Sequence, residues 1–188
     1  MKFKFYDVDM DYLNYLRQFE PRLPKILYEH HNKFVCGVIC ERNGLPYVVP
    51  VSSNIRPQKT SVIIKNKRNQ PISSLRFSFM FPCPPEFLKY KDFKEEPIGS
   101  YRRWLQDEIS YCNSHREKIR NKADYTYFHR VIEPKEPFNT VCCDFNLLEN
   151  KCREYCAAKN ISIVKSENEK QSLQDLFSKA MNRENVQR

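Results

Sequence analysis

The chain has 188 residues, of which 40% are hydrophobic and 13% aromatic, with only three glycines. That is enough apolar material for one domain with a real core, which excludes a disordered chain, and too few glycines for the phosphate loops of Walker or Rossmann nucleotide sites. The net charge of +9 favours a polyanionic partner: RNA, DNA or an anionic membrane surface.

In chain order, KFKFYDVD reads as a first strand and DYLNYLRQFE as a helix. Tyr12, Leu16 and Phe19 form its stripe, Asp9 or Asp11 its N-cap, and Pro21 and Pro24 its end. PRLPKILYEHHN reads as a loop. KFVCGVIC and LPYVVPVSS then flank Asn43-Gly44, the strongest short hairpin signal. KTSVIIKNKRNQPISSLRFSFMFPCP gives two more strands joined by a basic turn. Here Leu75, Phe77, Phe79 and Phe81 alternate as core-facing residues would. Short, closely spaced strands predict a small antiparallel sheet or a partly open barrel.

The period then changes. Ile98, Tyr101, Leu105, Ile109, Cys112 and Ile119 predict one long amphipathic helix. Trp104 lies close to this stripe, and the polar face carries Arg102, Arg103, Arg116, Lys118, Arg120 and Lys122. A last core helix follows in DFNLLENKCREYCAAKN, with Asp144 as N-cap and Leu148, Cys152, Tyr155 and Cys156 on one face. Residues 1–163 are read as a single domain. Residues 164–188 are read as a polar tail or a short helix carrying Leu173, Leu176, Phe177, Ala180 and Met181.

The opening MKFKFYDVDMDY lacks the apolar core of a secretory signal. No apolar run approaches the ~20 residues that span a bilayer. A cytoplasmic protein without membrane attachment is expected. The eight cysteines include pairs on one strand face (Cys36, Cys40) and one helix face (Cys152, Cys156), but no tight CxxC knuckle. They are read as reduced core thiols. No metal or cofactor is expected.

The distribution of charge says more than its sum. From Arg42 to Pro85 there is no Asp or Glu, while Arg42, Arg56, Lys59, Lys65, Lys67, Arg68 and Arg76 all fall there. Surfaces built for solubility mix signs; this one suits a nucleic-acid backbone. Within it, the strand ending in Ser52-Ser53 is followed by Arg56 and Lys59. Hydroxyls can hold phosphate oxygens and cations can offset their charge, which is what RNA cleavage without metal requires. An ordinary polar turn would also favour serine and asparagine. His30, His31, His115 and His129 offer acid–base alternatives. In ADYTYFHR, Tyr127, His129 and Arg130 place aromatics beside a cation, as base-stacking surfaces do.

The ordered set of the opening strand with YLNYLRQFE, then GLPYVVPVSS, LRFSFMFPCP and CDFNLLENKCREY resembles the type III toxin–antitoxin endoribonucleases, the ToxN/AbiQ/CptN group of bacterial abortive-infection toxins. The resemblance covers nearly the whole chain except the tail. It implies an α+β fold: a compact, partly open antiparallel β-barrel, similar to the Kid/MazF toxins, with packed helices. It implies metal-independent cleavage of cellular or phage RNA at short sequences, leaving 2′,3′-cyclic phosphate and 5′-OH ends. It also implies an RNA antitoxin of pseudoknotted repeats, processed by the toxin and inhibiting it in a closed hetero-oligomer. Ser52 and Ser53 fall at the family's hydroxyl-bearing active-site positions. Some members carry a lysine two positions after the second hydroxyl residue; here that position is Ile55, which leaves Arg56 or Lys59 as the catalytic cation. Arg42, Lys65, Lys67, Arg68, Arg76, Tyr127, His129 and Arg130 are the expected RNA-binding residues. A non-catalytic basic RNA-binding regulator is the alternative reading, and a cysteine-ligated metalloprotein a third.

Overall fold

The computed structural model describes residues 2–25 and 34–163. Strand β1 (Lys4–Val8) leads into helix α1 (Met10–Phe19). Strands β2 (Val35–Arg42), β3 (Leu45–Ser52), β4 (Ser61–Lys65), β5 (Pro71–Arg76), β6 (Phe81–Pro82) and β7 (Leu88–Tyr90) follow. Helices α2 (Gly99–Ser114), α3 (Arg116–Tyr127), the single turn α4 (Phe138–Val141) and α5 (Phe145–Ala158) complete the order. His30, His31 and the tail from 164 lie outside the described residues.

The strands pair antiparallel in the order β4-β5-β3-β2-β1-β7. Strand β3 is the hub. One of its edges pairs with β2, and its other edge is shared by β5 at Val51 and Ser52 and by β6 at Tyr47 and Val48. The outermost strands, β4 and β7, do not meet, so the sheet is open and its pairing does not close into the expected barrel. Helices pack where a closing strand would curl: α2 against β4, α3 against β2 and β4, and α5 against β6.

Local signals decide much of this. Asn43 and Gly44 sit at φ 52° and 71°, the two left-handed residues that a tight primed hairpin turn needs. Asp9 caps α1, its carboxylate accepting the Tyr12 N–H at 2.9 Å, and Asp144 caps α5 by accepting that of Leu147 at 3.1 Å. Tyr12 and Leu16 of the α1 stripe are buried, while Phe19 is exposed beneath the Lys151 ammonium.

Two expected elements are broken. The long helix over 98–119 stops at Ser114 and restarts at Arg116, with His115 at φ −116° and ψ 30°. Polar side chains compete with the backbone there. Ser114 Oγ donates to the Ser110 carbonyl, and the Asn113 amide bonds the Ile109 carbonyl and both backbone groups of Phe3. The strand through LRFSFMF is likewise interrupted by a 3₁₀ turn at Phe77–Phe79. Leu75, Phe77 and Phe81 are fully buried as the alternation predicts, but Phe79 is displaced toward solvent.

Phe5, Tyr12, Tyr47, Phe77, Phe81, Phe138 and Phe145 fill the core between sheet and helices. All eight cysteines are free thiols and seven are buried in that core. Among the described residues no group of three or more His, Cys, Asp or Glu is arranged to hold a metal ion, and no helix is long and apolar enough to cross a membrane.

Candidate active site

The antiparallel register sets Ser52 opposite Ser74 and Val51 opposite Leu75. Side chains alternate across a sheet. Val51 and Leu75 therefore turn into the core, while Pro50, Ser52, Ser74 and Arg76 share the other face. That face opens as a pocket of about 200 Å³ lined by Pro24, Pro50, Ser52, Asn54, Arg76 and Phe79. Phe79 reaches the rim because the 3₁₀ turn breaks the strand that would have buried it.

Asn54 shapes the floor. Its N–H donates to Ser52 Oγ at 3.2 Å, its carbonyl accepts Ser74 Oγ at 2.5 Å, and its Oδ1 accepts the Arg56 N–H at 2.9 Å. Ser52 Oγ thus accepts from the backbone and keeps its own proton to donate into the pocket. Arg76 supplies positive charge. It is only 8% exposed, its guanidinium lies 5.7 Å from the centre of the Phe79 ring, and burial lowers its pKa from the usual arginine value. Among the described residues its Nε and Nη1 are buried without a hydrogen-bond partner. A hydroxyl donor, a buried cation and a partly exposed ring facing one small opening make a receptor for an oxyanion beside an aromatic group.

The other sequence-predicted residues lie elsewhere. Ser53, Arg56 and Lys59 are exposed and do not line the pocket; the Lys59 carbonyl accepts Lys122 Nζ at 3.2 Å. Lys65 is half-buried on β4. Lys67 and Arg68 are exposed on a β4–β5 turn that Asn66 organises by accepting the N–H groups of Arg68 and Gln70. Arg42 is buried and paired with Asp124. Burial raises the Asp124 carboxyl pKa, against the pull of that arginine. Tyr127 is a core residue at 1% exposure, its hydroxyl donating to Glu149 at 2.8 Å, so it offers no ring face to a base. His129 is buried among Tyr125, Phe128 and Phe138, with Glu133 3.7 Å away; burial lowers its pKa and Lys135 acts in the same sense. Arg130 donates to the Cys143 carbonyl and pairs with Asp144 at 3.4 Å. His115 stacks on Tyr111 with ring centres 4.0 Å apart.

Sequence reasoning named Ser52 and Arg76 separately and missed Asn54, Ser74 and Phe79. A signal existed in the alternation of SSLR, which sets Ser74 and Arg76 on the face opposite Leu75. The β3–β5 register that brings them to Ser52 has no local signature.

Residues 4–153 match the family model described as toxin ToxN, type III toxin–antitoxin system. Among curated relatives, endoribonuclease ToxN of Bacillus thuringiensis subsp. kurstaki is 27% identical over 163 residues, covering 81% of this chain and 84% of that protein. Endoribonuclease AbiQ of Lactococcus lactis subsp. lactis is 29% identical over 169 residues, covering 82% and 90%. A solved type III toxin–antitoxin structure, described for selective toxin inhibition by a non-coding RNA pseudoknot, superposes with a TM-score of 0.77 at 26% identity, covering 82% of this chain and 98% of its own. With the family model spanning most of its length, the chain belongs to the ToxN family of type III toxin–antitoxin toxins.

Proposed function

We propose that this protein is a sequence-selective, metal-independent endoribonuclease toxin. The observation that carries the reading is the pocket at the end of β3, where Ser52 and the buried cation Arg76 share one opening. In the reaction, a ribose 2′-OH gives up its proton and attacks the adjacent phosphorus, the bond to the 5′-oxygen breaks, and the leaving oxygen takes up a proton. The products are a 2′,3′-cyclic phosphate and a 5′-OH. Charge grows on the non-bridging oxygens as the phosphorane forms, and preorganised donors in a partly dry pocket stabilise that charge. Ser52 donates one hydrogen bond. Ser53, Arg56 and Lys59, next in the chain, are the proposed contacts to the flanking phosphates. Lys65, Lys67 and Arg68 extend the track along the β4–β5 turn.

By relationship to a toxin inhibited by an RNA pseudoknot, the proposed partner is a repeat RNA antitoxin that the protein processes and that blocks this pocket in a closed toxin–RNA assembly. Cellular or phage RNA is the substrate when the antitoxin is lost.

The test is incubation of RNA-free protein with a mixed-sequence RNA in EDTA, with mapping of the new ends. Wild type cuts at one short motif and leaves cyclic phosphate. Ser52→Ala loses about 10²-fold or more, the usual cost of removing a donor to a developing oxyanion, and Ser53→Ala loses less. Intact RNA after prolonged incubation with wild type, together with tight binding, would instead identify a non-catalytic RNA-binding regulator.

A further inference from the structure

We propose that Arg76, rather than Arg56 or Lys59, is the cation that receives the scissile phosphate; this assignment rests on the endoribonuclease reading of the Ser52 pocket.

The protein does not treat its arginines alike. Arg42 is equally buried at 8% exposure and is neutralised by Asp124. Arg22 is held by the Glu20 carboxylate and the Cys142 carbonyl, and Arg130 by Asp144 and the Cys143 carbonyl. Arg76 is the exception. Among the described residues no carboxylate pairs with it, and two of its nitrogens are buried without an acceptor. A buried charge without a partner is strongly unfavourable, and a native structure that keeps one has a use for it.

The surroundings identify the missing partner. Phe79 supports the guanidinium through its ring face, which positions the charge without neutralising it. Pro24 and Pro50 complete a low-dielectric wall, in which attraction to an anion is stronger than at the surface. The segment from Arg42 to Pro85 supplies no acid to compete. A neutral base edge would satisfy the N–H groups but leave the charge uncompensated. An oxyanion satisfies both, and arginine's planar donor set suits phosphate. Ser52 Oγ accepts the Asn54 N–H and lines the same opening, with its own proton free to donate there. Arg56 and Lys59 are exposed by comparison, where the attraction of a single charge is small and screened by salt.

The experiment compares full-length, RNA-free wild type with Arg76→Met, Arg76→Lys, Arg56→Ala and Lys59→Ala. Melting is recorded in chloride and in inorganic phosphate at matched ionic strength, and single-turnover cleavage is measured in EDTA. Phosphate raises the wild-type melting temperature, as a ligand of the native state must, and does not raise that of Arg76→Met. In chloride, Arg76→Met melts no lower than wild type, because it removes an uncompensated charge. Cleavage by Arg76→Met falls by about 10²–10³-fold, the loss typical of a donor to a developing oxyanion. Arg76→Lys falls less, and the two surface variants fall by less than about tenfold, as screened charges do.

The assignment is overturned if Arg76→Met melts lower in chloride and keeps the phosphate shift, or if it cleaves normally while Arg56→Ala or Lys59→Ala does not. A wild type that fails to cleave but is stabilised by phosphate through Arg76 would sink the nuclease reading alone and leave Arg76 as an oxyanion receptor.

Discussion

Glu149 shows how single residues hold the scaffold behind the pocket. It is 6% exposed on α5, and its carboxylate accepts the hydroxyls of Tyr47 and Tyr127, both at 2.8 Å, and the Asn43 amide at 2.7 Å. Glu149→Ala removes the shared acceptor of two buried tyrosine hydroxyls, while the Asn43 amide keeps Tyr127 Oη at 3.1 Å. Each buried unsatisfied group costs about 1–3 kcal/mol, so urea denaturation should show a loss of about 3–5 kcal/mol, in the range for breaking a buried network. An unchanged urea midpoint would mean that water reaches these groups. The same network sets Tyr127 in the core, where its sequence neighbours predict a surface. An aromatic next to cations has the composition of a base-stacking surface, and only the third dimension shows that its hydroxyl faces a buried glutamate. Ser52 was legible because a strand that ends in hydroxyls is a local pattern. The importance of Arg76 was not, because an arginine's charge is visible in a sequence but its lack of a counter-charge is not.

At the scale of elements, local chemistry made the hairpin and the helix caps readable: Asn43-Gly44, Asp9 and Asp144 each act within a few residues. The break at His115 was hidden because Asn113 bonds Phe3, 110 positions away. The seating of α2 on the sheet carries a pH signature. Glu108 of α2 is 3% exposed, accepts Trp104 Nε1 at 3.1 Å, and faces the Ser73 hydroxyl and Tyr101. Burial raises its carboxyl pKa from 4.5 to about 7, with the nearby Ser73 hydroxyl and the Trp104 hydrogen bond opposing. Between these values the unfolded chain has already lost the proton that the folded chain retains. Stability therefore falls as pH rises through that window and is flat above it, by about 3 kcal/mol in all. In Glu108→Gln this decline should be missing from urea melts taken at pH 5 and pH 8. A decline of equal size in the variant would assign it to other groups.

At the scale of the whole molecule, the positive charge divides into two populations. Arg42 and Arg130 are tied into the fold, whereas Lys67 and Arg68 stand in solvent. Removing Lys67 or Arg68 should weaken RNA binding across all sequences and lower the slope of log affinity against log salt by about one each. Arg42→Ala should instead reduce stability, leaving the half-buried Asp124 without its partner. Equal salt slopes for Lys67→Ala and wild type would remove that turn from the RNA path. The α+β class was legible because, after the first strand and helix, a run of period-two strands gives way to segments of helical period. Closure of the sheet was not, since it depends on whether strands far apart in sequence meet. The brace at Glu149 has one more consequence, which concerns time. It joins residues 102 and 106 positions apart, and synthesis runs from the N-terminus. On the ribosome, β3 and its serines emerge long before the glutamate that secures the hairpin. Until α5 follows, Asn43, Tyr47 and Tyr127 lack their common acceptor. The scaffold around the hairpin therefore settles only after α5 has been made.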